Sequence, residues 1–568
     1  MYDYIIVGGG SAGSVLAHRL STPGANRVLL CEAGPDTPPG QVPATILDTY
    51  PGQAYFDPRF HWTELKVRTQ VVSHNNPDAD RPPLRKYEQA RVLGGGSSIN
   101  GQMANRGAPH DYDEWERRGA AGWNWKAVLP YFRKVERDLD FDNEWHGRDG
   151  RIPVRRIPES EWPLHSRATA EAFRQAGFKK LDDQNGAFED GYFPLTVNVT
   201  ETRVSAAIGY LDAETRKRPN LTLSTETQVM GLIFDGTRCA GIRALVKGQE
   251  QEFRGREVIL CTGAIHSPAH LMRAGIGPAA HLKEHGIEVR ADLPGVGQGL
   301  MDHPAISLSC FVKPEARLNR TKLRRHMLVG LRFSSGIEGA PAGDMFMSVA
   351  SKSAWHAVGE QVGSMLTWVN KTYSQRGQVR LVSTDWRAHP DVEFNLLSDR
   401  RDLERLMIGF RLAAALNLSP PLAAVTTDPF PAAYSDRVRR IGVVNTKNRI
   451  LTSIISTFLD GPAALRSAFI DRFVIEGFRF REVMEDEEAL EAFIRKATIG
   501  VWHASCSCRM GAETDPMAVV DAAGRVRGVP GLRVVDASVF PVVPSANTNF
   551  PTLMTAEKMS DAILAGAA

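Results

Sequence analysis

Near the amino terminus, Tyr4-Ile5-Ile6-Val7 runs straight into Gly8-Gly9-Gly10-Ser11-Ala12-Gly13 and then Ser14-Val15-Leu16-Ala17-His18-Arg19-Leu20. The first run is short, apolar and β-branched, as a strand buried on both faces requires. The last has helical spacing, and Val28-Leu29-Leu30-Cys31 makes a second strand ending at Glu32. Strand, glycine turn, helix, strand and acid together define a dinucleotide-binding unit and commit the chain to a parallel sheet. Gly8 permits the tight turn, Gly10 lets a pyrophosphate approach the backbone, and Gly13 lets the helix lie close to the strand. Ser11 and Ala12 open the helix, whose free N–H groups and positive dipole end face the phosphates. Glu32, 19 residues after Gly13 and followed by Ala33, is placed to accept hydrogen bonds from a ribose diol. An acid there disfavours a 2′-phosphate, which argues against NADP. The unit alone leaves NAD and FAD both open.

Composition narrows the class. At 568 residues the chain has room for two domains or one composite domain. Its 68 basic and 65 acidic residues are mixed along the chain, giving a net charge of +3. No basic block suited to nucleic acid or a membrane surface stands out, and the run from Thr321 to His326 (TKLRRH) reads as a solvated loop. Six cysteines in this length do not make a disulfide scaffold. Cys506 and Cys508 lack a second Cys/His pair at zinc spacing, so they read as structural thiols and no metal is expected. The first strand begins almost at once, without room for a signal peptide. The apolar stretch from Ile450 to Ile470 is broken by Asp460, Pro462 and Arg466, a poor membrane span. The expectation is a soluble, cytoplasmic protein.

Four further stretches decide the nucleotide. ARVLGGGSSINGQMANRG from Ala90 and GAIHSPAHLMRAGIG from Gly263 resemble the two signatures of the glucose–methanol–choline (GMC) oxidoreductases. GVGQGLMDHP from Gly295 and GLRVVDASVFP from Gly531 resemble further blocks of that family, so the resemblance spans essentially the whole chain. It implies FAD and a fold of mixed α/β and α+β character. A discontinuous Rossmann-like FAD-binding domain would comprise residues 1–155 and 196–304, with a return at 499–568 that carries the catalytic segment. A substrate domain built on an antiparallel sheet would comprise 156–195 and 305–498. In the first signature, Arg91, Gly95, Ser98, Asn100, Gly101, Gln102 and Met103 fall at cofactor positions, and glycines there let backbone lie against the ring system. Thr262 and Gly263 open the second signature; Asp536 and Ala537 fall near the pyrophosphate and ribityl chain, and Val229 at the adenine. Trp62, Thr548 and Asn549 complete the implied contacts. Two departures carry meaning. Members with covalently bound flavin have a histidine where this chain has Ile99, so FAD is expected to be non-covalent. Ala104 replaces a common aromatic residue, which would open space beside the ring, whereas the deviations at His270 and Ala274 lie away from the chemistry.

The family oxidises alcohols by passing hydride from the carbinol carbon to flavin N5 while a base takes the hydroxyl proton. Imidazole suits that task because its unperturbed pKa lies near the working pH. In VWHASCSCRMG, His503 aligns with the family's active-site histidine, and Asn547 in PSANTNF aligns with a second position that is His or Asn. Asparagine cannot act as a base but can donate a hydrogen bond to a developing alkoxide. His503 is therefore read as general base and Asn547 as oxygen-positioning donor. His303 in MDHP is the competing histidine and reads as support near the flavin.

Val501-Trp502-His503 with Asn547 resembles the branch of bacterial 5-hydroxymethylfurfural and aryl-alcohol oxidases. A planar benzylic or furanic primary alcohol would stack on Trp502 and react with O2, giving an aldehyde and hydrogen peroxide. An acceptor-dependent alcohol or choline-type dehydrogenase stays open, as do a hydroxynitrile lyase and a fatty-acid photodecarboxylase on the same scaffold. No motif supplies the carboxylate and aromatic cage that choline requires. The segment from Tyr434 to Arg481 fits a lid, a tunnel wall or an oligomer contact equally, and the oligomeric state is not legible.

Overall fold

A computed structural model describes residues 1–70, 82–432, 440–475 and 479–566. Two sheets organise the molecule. The first is built around Tyr2–Val7, whose residues from Tyr4 onward are all buried. This strand lies parallel between Val28–Cys31 and Gln249–Leu260, with Leu221–Ser224 beyond one neighbour and Leu532–Val534 beyond the other. The strand Gln249–Leu260 has two characters. Its polar, exposed first half pairs antiparallel with Arg238–Val246, while its buried end pairs parallel with Tyr2–Val7, bringing Leu260 beside Val7. The switch from exposure to continuous burial is the difference expected between a solvated and a fully covered strand. The helices Ser11–Ser21 and Asn549–Leu564 pack against each other, so the last helix lies beside the first.

The second sheet is antiparallel throughout, in the order Thr426–Ala432, Pro304–Val312, Val362–Val369, Met345–Ala350, Met327–Phe333, Gly191–Pro194. The helix Arg400–Leu418, capped at its start by the Asp399 side chain, covers one face. Close approach there requires Gly409, whose Cβ would stand 2.6 Å from Thr367 Cγ2. The opposite face presents Ser307 and Ser309, and across the sheet Ser364, Leu366 and Trp368, to the central cavity. Their spacing of two is the strand period.

A short strand, Ile499–Gly500, adds antiparallel to Pro304–Val312. The pairing resumes at Met301 and Ser505, which exchange backbone hydrogen bonds of 3.1 and 3.0 Å. Residues 302–303 therefore face residues 501–504, and the longer side bulges. Bulges re-aim side chains. This one carries Trp502, at φ +61°, and His503.

Candidate active site

One cavity of about 1230 Å³ runs between the two sheets. At one end it is lined by Gly8, Gly10, Ser11, Ala12, Glu32 and Ala33, with Val229 nearby; at the other by Trp502, His503 and Asn547. Trp62, Gly95, Asn100, Gly101, Met103, Thr262, Gly263, Asp536, Ala537, Thr548 and Asn549 line it as well.

The glycine end has the geometry of a phosphate cradle. No side chain caps the helix Ser11–Ser21 at Gly10, so its first N–H groups point outward uncapped. Gly8 has φ +102°, a conformation that favours glycine. A Cβ on Gly95 would stand 2.6 Å from Gly10 Cα, so the two glycine turns touch backbone to backbone. Gly13 lies outside the cavity lining: a Cβ there would meet the Gly8 carbonyl at 1.9 Å, which is why the helix can sit against the strand. Glu32 accepts from the N–H groups of Gly9 (2.9 Å) and Gly34 (2.8 Å), and burial pushes its carboxyl up to about 7 against those bonds. Asp536 accepts from Gly263 N–H (2.9 Å) and Ser267 Oγ (2.6 Å), fixing the turn at the start of Gly263–Arg273. An uncapped helix, a glycine cradle and a buried acid are the donor and acceptor set an adenine dinucleotide needs.

Other expected positions support the cavity from behind. Arg91 donates to the Ala33 carbonyl (3.2 Å) and stacks over the Trp62 ring at 4.9 Å. Ser98 Oγ donates to the Leu93 carbonyl (2.9 Å). Gln102 bridges the Asp48 carbonyl (3.1 Å) and Arg325 (2.6 Å). Ala104 is fully buried, its backbone tied to Thr196 (2.9 Å) and Asn185 (2.9 Å). Of these four, none lines the cavity, so Ala104 opens no space in it.

At the far end, His503 and Asn547 come together, with Asn547 Nδ2 2.9 Å from His503 Nε2. The loop bearing Asn547 is held by Asp111 on the helix Pro109–Arg117, which accepts from Ser545 N–H (2.9 Å) and Oγ (3.0 Å). Asn105 Oδ1 takes the Asn547 N–H at 3.0 Å. Behind His503 stands His303, with the two Nδ1 atoms 2.8 Å apart. His303 Nε2 lies 3.1 Å from the Pro544 carbonyl, which can only accept. A neutral His303 therefore donates from Nε2 and accepts at Nδ1. His503 must then donate from its own Nδ1, which leaves the lone pair on Nε2, facing Asn547 and the cavity. Burial pushes both imidazoles down, His303 to about 4 and His503 well below its ordinary value, with His303 adding to the second shift. The arrangement is a neutral base whose proton-accepting atom meets the Asn547 amide at the cavity wall.

Asp302, inside the GVGQGLMDHP block but given no role by it, holds this geometry. Its Oδ1 accepts from the N–H groups of His303 (2.7 Å), His503 (3.0 Å) and Val501 (3.2 Å). Gly500 makes room for it, since a Cβ there would meet Asp302 Oδ2 at 2.3 Å. Its carboxylate thus binds the bulge rather than either imidazole. Trp502, held at positive φ by those bonds, donates from Nε1 to Glu88 (3.1 Å) and meets Tyr55 edge to face at 5.4 Å. Cys506 and Cys508 are buried free thiols, pushed up by burial. Their backbone N–H groups bond Ala537 (3.1 Å) and Ser538 (2.8 Å), so this segment pairs with the Asp536 turn.

Two family models described as GMC oxidoreductase match residues 2–305 and 373–556. The chain is 43% identical to the 5-(hydroxymethyl)furfural oxidase of Methylovorus sp. (strain MP688), over 99% of each chain. It is 34% identical to the oxygen-dependent choline dehydrogenase of Pseudomonas savastanoi pv. phaseolicola, over 99% of this chain and 93% of that one. Among solved structures it is similar to pyridoxine 4-oxidase from Mesorbium loti, with a TM-score of 0.79 at 25% identity over 99% of each chain.

Proposed function

This chain belongs to the GMC oxidoreductases, and from that premise we propose that it oxidises a benzylic or furanic primary alcohol to the aldehyde, reducing O2 to H2O2. It is a flavoprotein acting on CH–OH groups. FAD, held without a covalent bond because Ile99 offers no nucleophile, supplies the hydride acceptor. The observation that carries the reading is the His503–Asn547 pair, which brings Nε2 and the amide together at the cavity wall that Trp502 also lines. His503 Nε2 takes the hydroxyl proton as the carbinol C–H bond weakens, and Asn547 Nδ2 donates to the oxygen as charge develops on it. His303 keeps His503 in the accepting tautomer, and Trp502 gives a planar ring a wall to stack on.

A second reading rests on Glu88. Its carboxylate, with Tyr55 and Trp502, places an anion and two aromatic rings on the same cavity wall, the elements of a site for a cationic alcohol. An oxygen-electrode screen of the holoenzyme separates the readings. Furanic and benzylic alcohols are expected to drive O2 uptake far faster than aliphatic alcohols or choline. Flavin bleaching by alcohol without O2 uptake, with turnover only when an artificial acceptor is added and reduced, would overturn the oxidase reading. Fastest turnover with choline would favour the cationic site.

A further inference from the structure

The helix Thr446–Leu459 is apolar on two sides. Its inner side buries Asn448, Thr452 and Leu459 and lends Thr452, Ile455 and Leu459 to the cavity. Its outer side leaves Ile450, Leu451, Ile454 and Phe458 exposed, Phe458 by 67%. On an α-helix these four fall in one stripe about 100° wide. Leu465 and Phe473, in the turns that follow, are exposed as well. Single exposed apolar residues are ordinary, whereas a contiguous apolar stripe marks a contact surface.

The stripe is not a loose end. Gln361 Nε2 donates to the Ser456 carbonyl (2.7 Å), Trp355 Nε1 to the Gly442 carbonyl (2.8 Å), and Arg466 pairs with Asp428 at 2.8 Å. Arg317 also pairs with Asp460. The inner side is therefore fixed, and the outer stripe is held facing away from the protein. Val443 and Phe473 line the cavity yet are 51% and 48% exposed, so the cavity reaches the surface within this same segment.

Charge selects the partner. Lys447 lies at the N-terminal end of the stripe and Arg449 directly precedes its first residue on the same helix, both exposed. On the acid side Asp460 is engaged by Arg317, which leaves the exposed Asp471. A second copy meeting this face about a two-fold axis would bring like charges together. An apolar stripe edged with cations instead matches an anionic lipid surface, with the side chains entering the acyl boundary and the cations at the headgroups. We propose that this face docks on anionic phospholipid bilayers and sets the cavity mouth against the lipid. The position of the mouth further suits an apolar alcohol dissolved in the bilayer, a point that rests on the alcohol-oxidase reading, whereas the docking does not. No helix among the described residues is long and apolar enough to cross a membrane, so the contact is interfacial.

Vesicle flotation of the holoenzyme tests this without using activity. Wild type is expected to float with mixed phosphatidylcholine–phosphatidylglycerol vesicles, less so at high salt, and not with phosphatidylcholine alone. Ile454→Ser/Phe458→Ser, at positions outside the cavity lining, is expected to lower binding about tenfold or more while retaining flavin and turning over a small soluble alcohol at the wild-type rate. Lys447→Glu/Arg449→Glu should weaken binding and flatten its salt dependence. Failure of wild type to float with the anionic vesicles would overturn the proposal. So would light scattering that shows a wild-type oligomer reduced to monomers by Ile454→Ser/Phe458→Ser, since a second copy would then cover the face.

Discussion

Two buried histidines in this molecule each lie near a carboxylate, and their pKa values are pushed in opposite directions. His146, on the loop before the strand Ile152–Arg156, lies 2.9 Å from Asp138, 3.1 Å from Glu136 and 2.8 Å from Asp183. Burial opposes its charge, but hydrogen bonds to these carboxylates outweigh it and push the imidazole up to about 10. His503 also has a carboxylate within a few residues in space, yet burial pushes it far down. The difference is where the carboxylate points. Asp138 and Asp183 bond the imidazole itself, whereas Asp302 spends its Oδ1 on backbone N–H groups and leaves His503 a neutral neighbour, His303. Burial makes a histidine neutral by default, and only a direct anionic partner reverses this. Charge also balances around His146, where Arg156 engages Asp138 (2.6 Å) and Asp183 (2.9 Å) and Arg106 engages Glu136. One cluster is cross-linked by ions, and the other is poised to receive a proton.

Exchanging each histidine for glutamine should break the two clusters in different ways. His503→Gln keeps a polar side chain but removes the base, and kcat/KM for the best alcohol is expected to fall about 10²–10⁴-fold with flavin absorbance retained. His146→Gln should leave kcat/KM near wild type. Steady-state oxygen uptake checks both, and a His503→Gln enzyme within a few-fold of wild type would end the base assignment.

The ionic cluster should show itself in stability. His146→Leu leaves Asp138 and Glu136 buried with one cation fewer, a change that typically costs about 3–5 kcal/mol. The folded-state value is raised from 6.5 to about 10, so the stabilisation is complete below pH 6.5 and is lost as pH rises through about 10. Urea unfolding at neutral and alkaline pH reads the sign: the gap between wild type and His146→Leu should narrow toward pH 10. An unchanged gap would mean that His146 is neutral in the folded protein.

How much of this was legible in the sequence depends on what carries the information. The glycine turn was legible because strand, turn and helix are contiguous and each glycine answers a local clash. His503 and Asn547 were legible because the motifs around them resemble a known family. Asp302 was not: it acts through three backbone N–H groups of a bulge that exists only once residues 301–305 and 499–505 pair. Ser98 and Gln102 sit inside a motif that lines the cavity, but a motif does not say which way each side chain turns, and these two bond backbone or Arg325 instead. Between Tyr434 and Arg481 the obstacle was different. Leu459 and Ile455 face inward while Ile454 and Phe458 face outward, and an apolar residue reads alike on either side of a helix. Residues 434–439 and 476–478 of that segment lie outside the described residues.

The smallest effect is the most discriminating. A base held well below pH 6.5 stays deprotonated at every pH above its own value, so kcat/KM in wild type should change less than about twofold between pH 6.5 and 8.5. An imidazole at its ordinary value would be half protonated at pH 6.5 and would show an acid limb there. Asp302 complicates this window, because burial pushes its carboxyl up to about 7 against the bonds from the backbone. Its titration could bend the profile by altering how firmly the bulge is held. Asp302→Asn separates the two sources, since an amide oxygen still accepts from the bulge but has no proton to lose. A bend near pH 7 that disappears in Asp302→Asn belongs to Asp302 and leaves His503 a depressed base. A bend that survives belongs to His503 itself, and the contrast with His146 would then be one of degree rather than of sign.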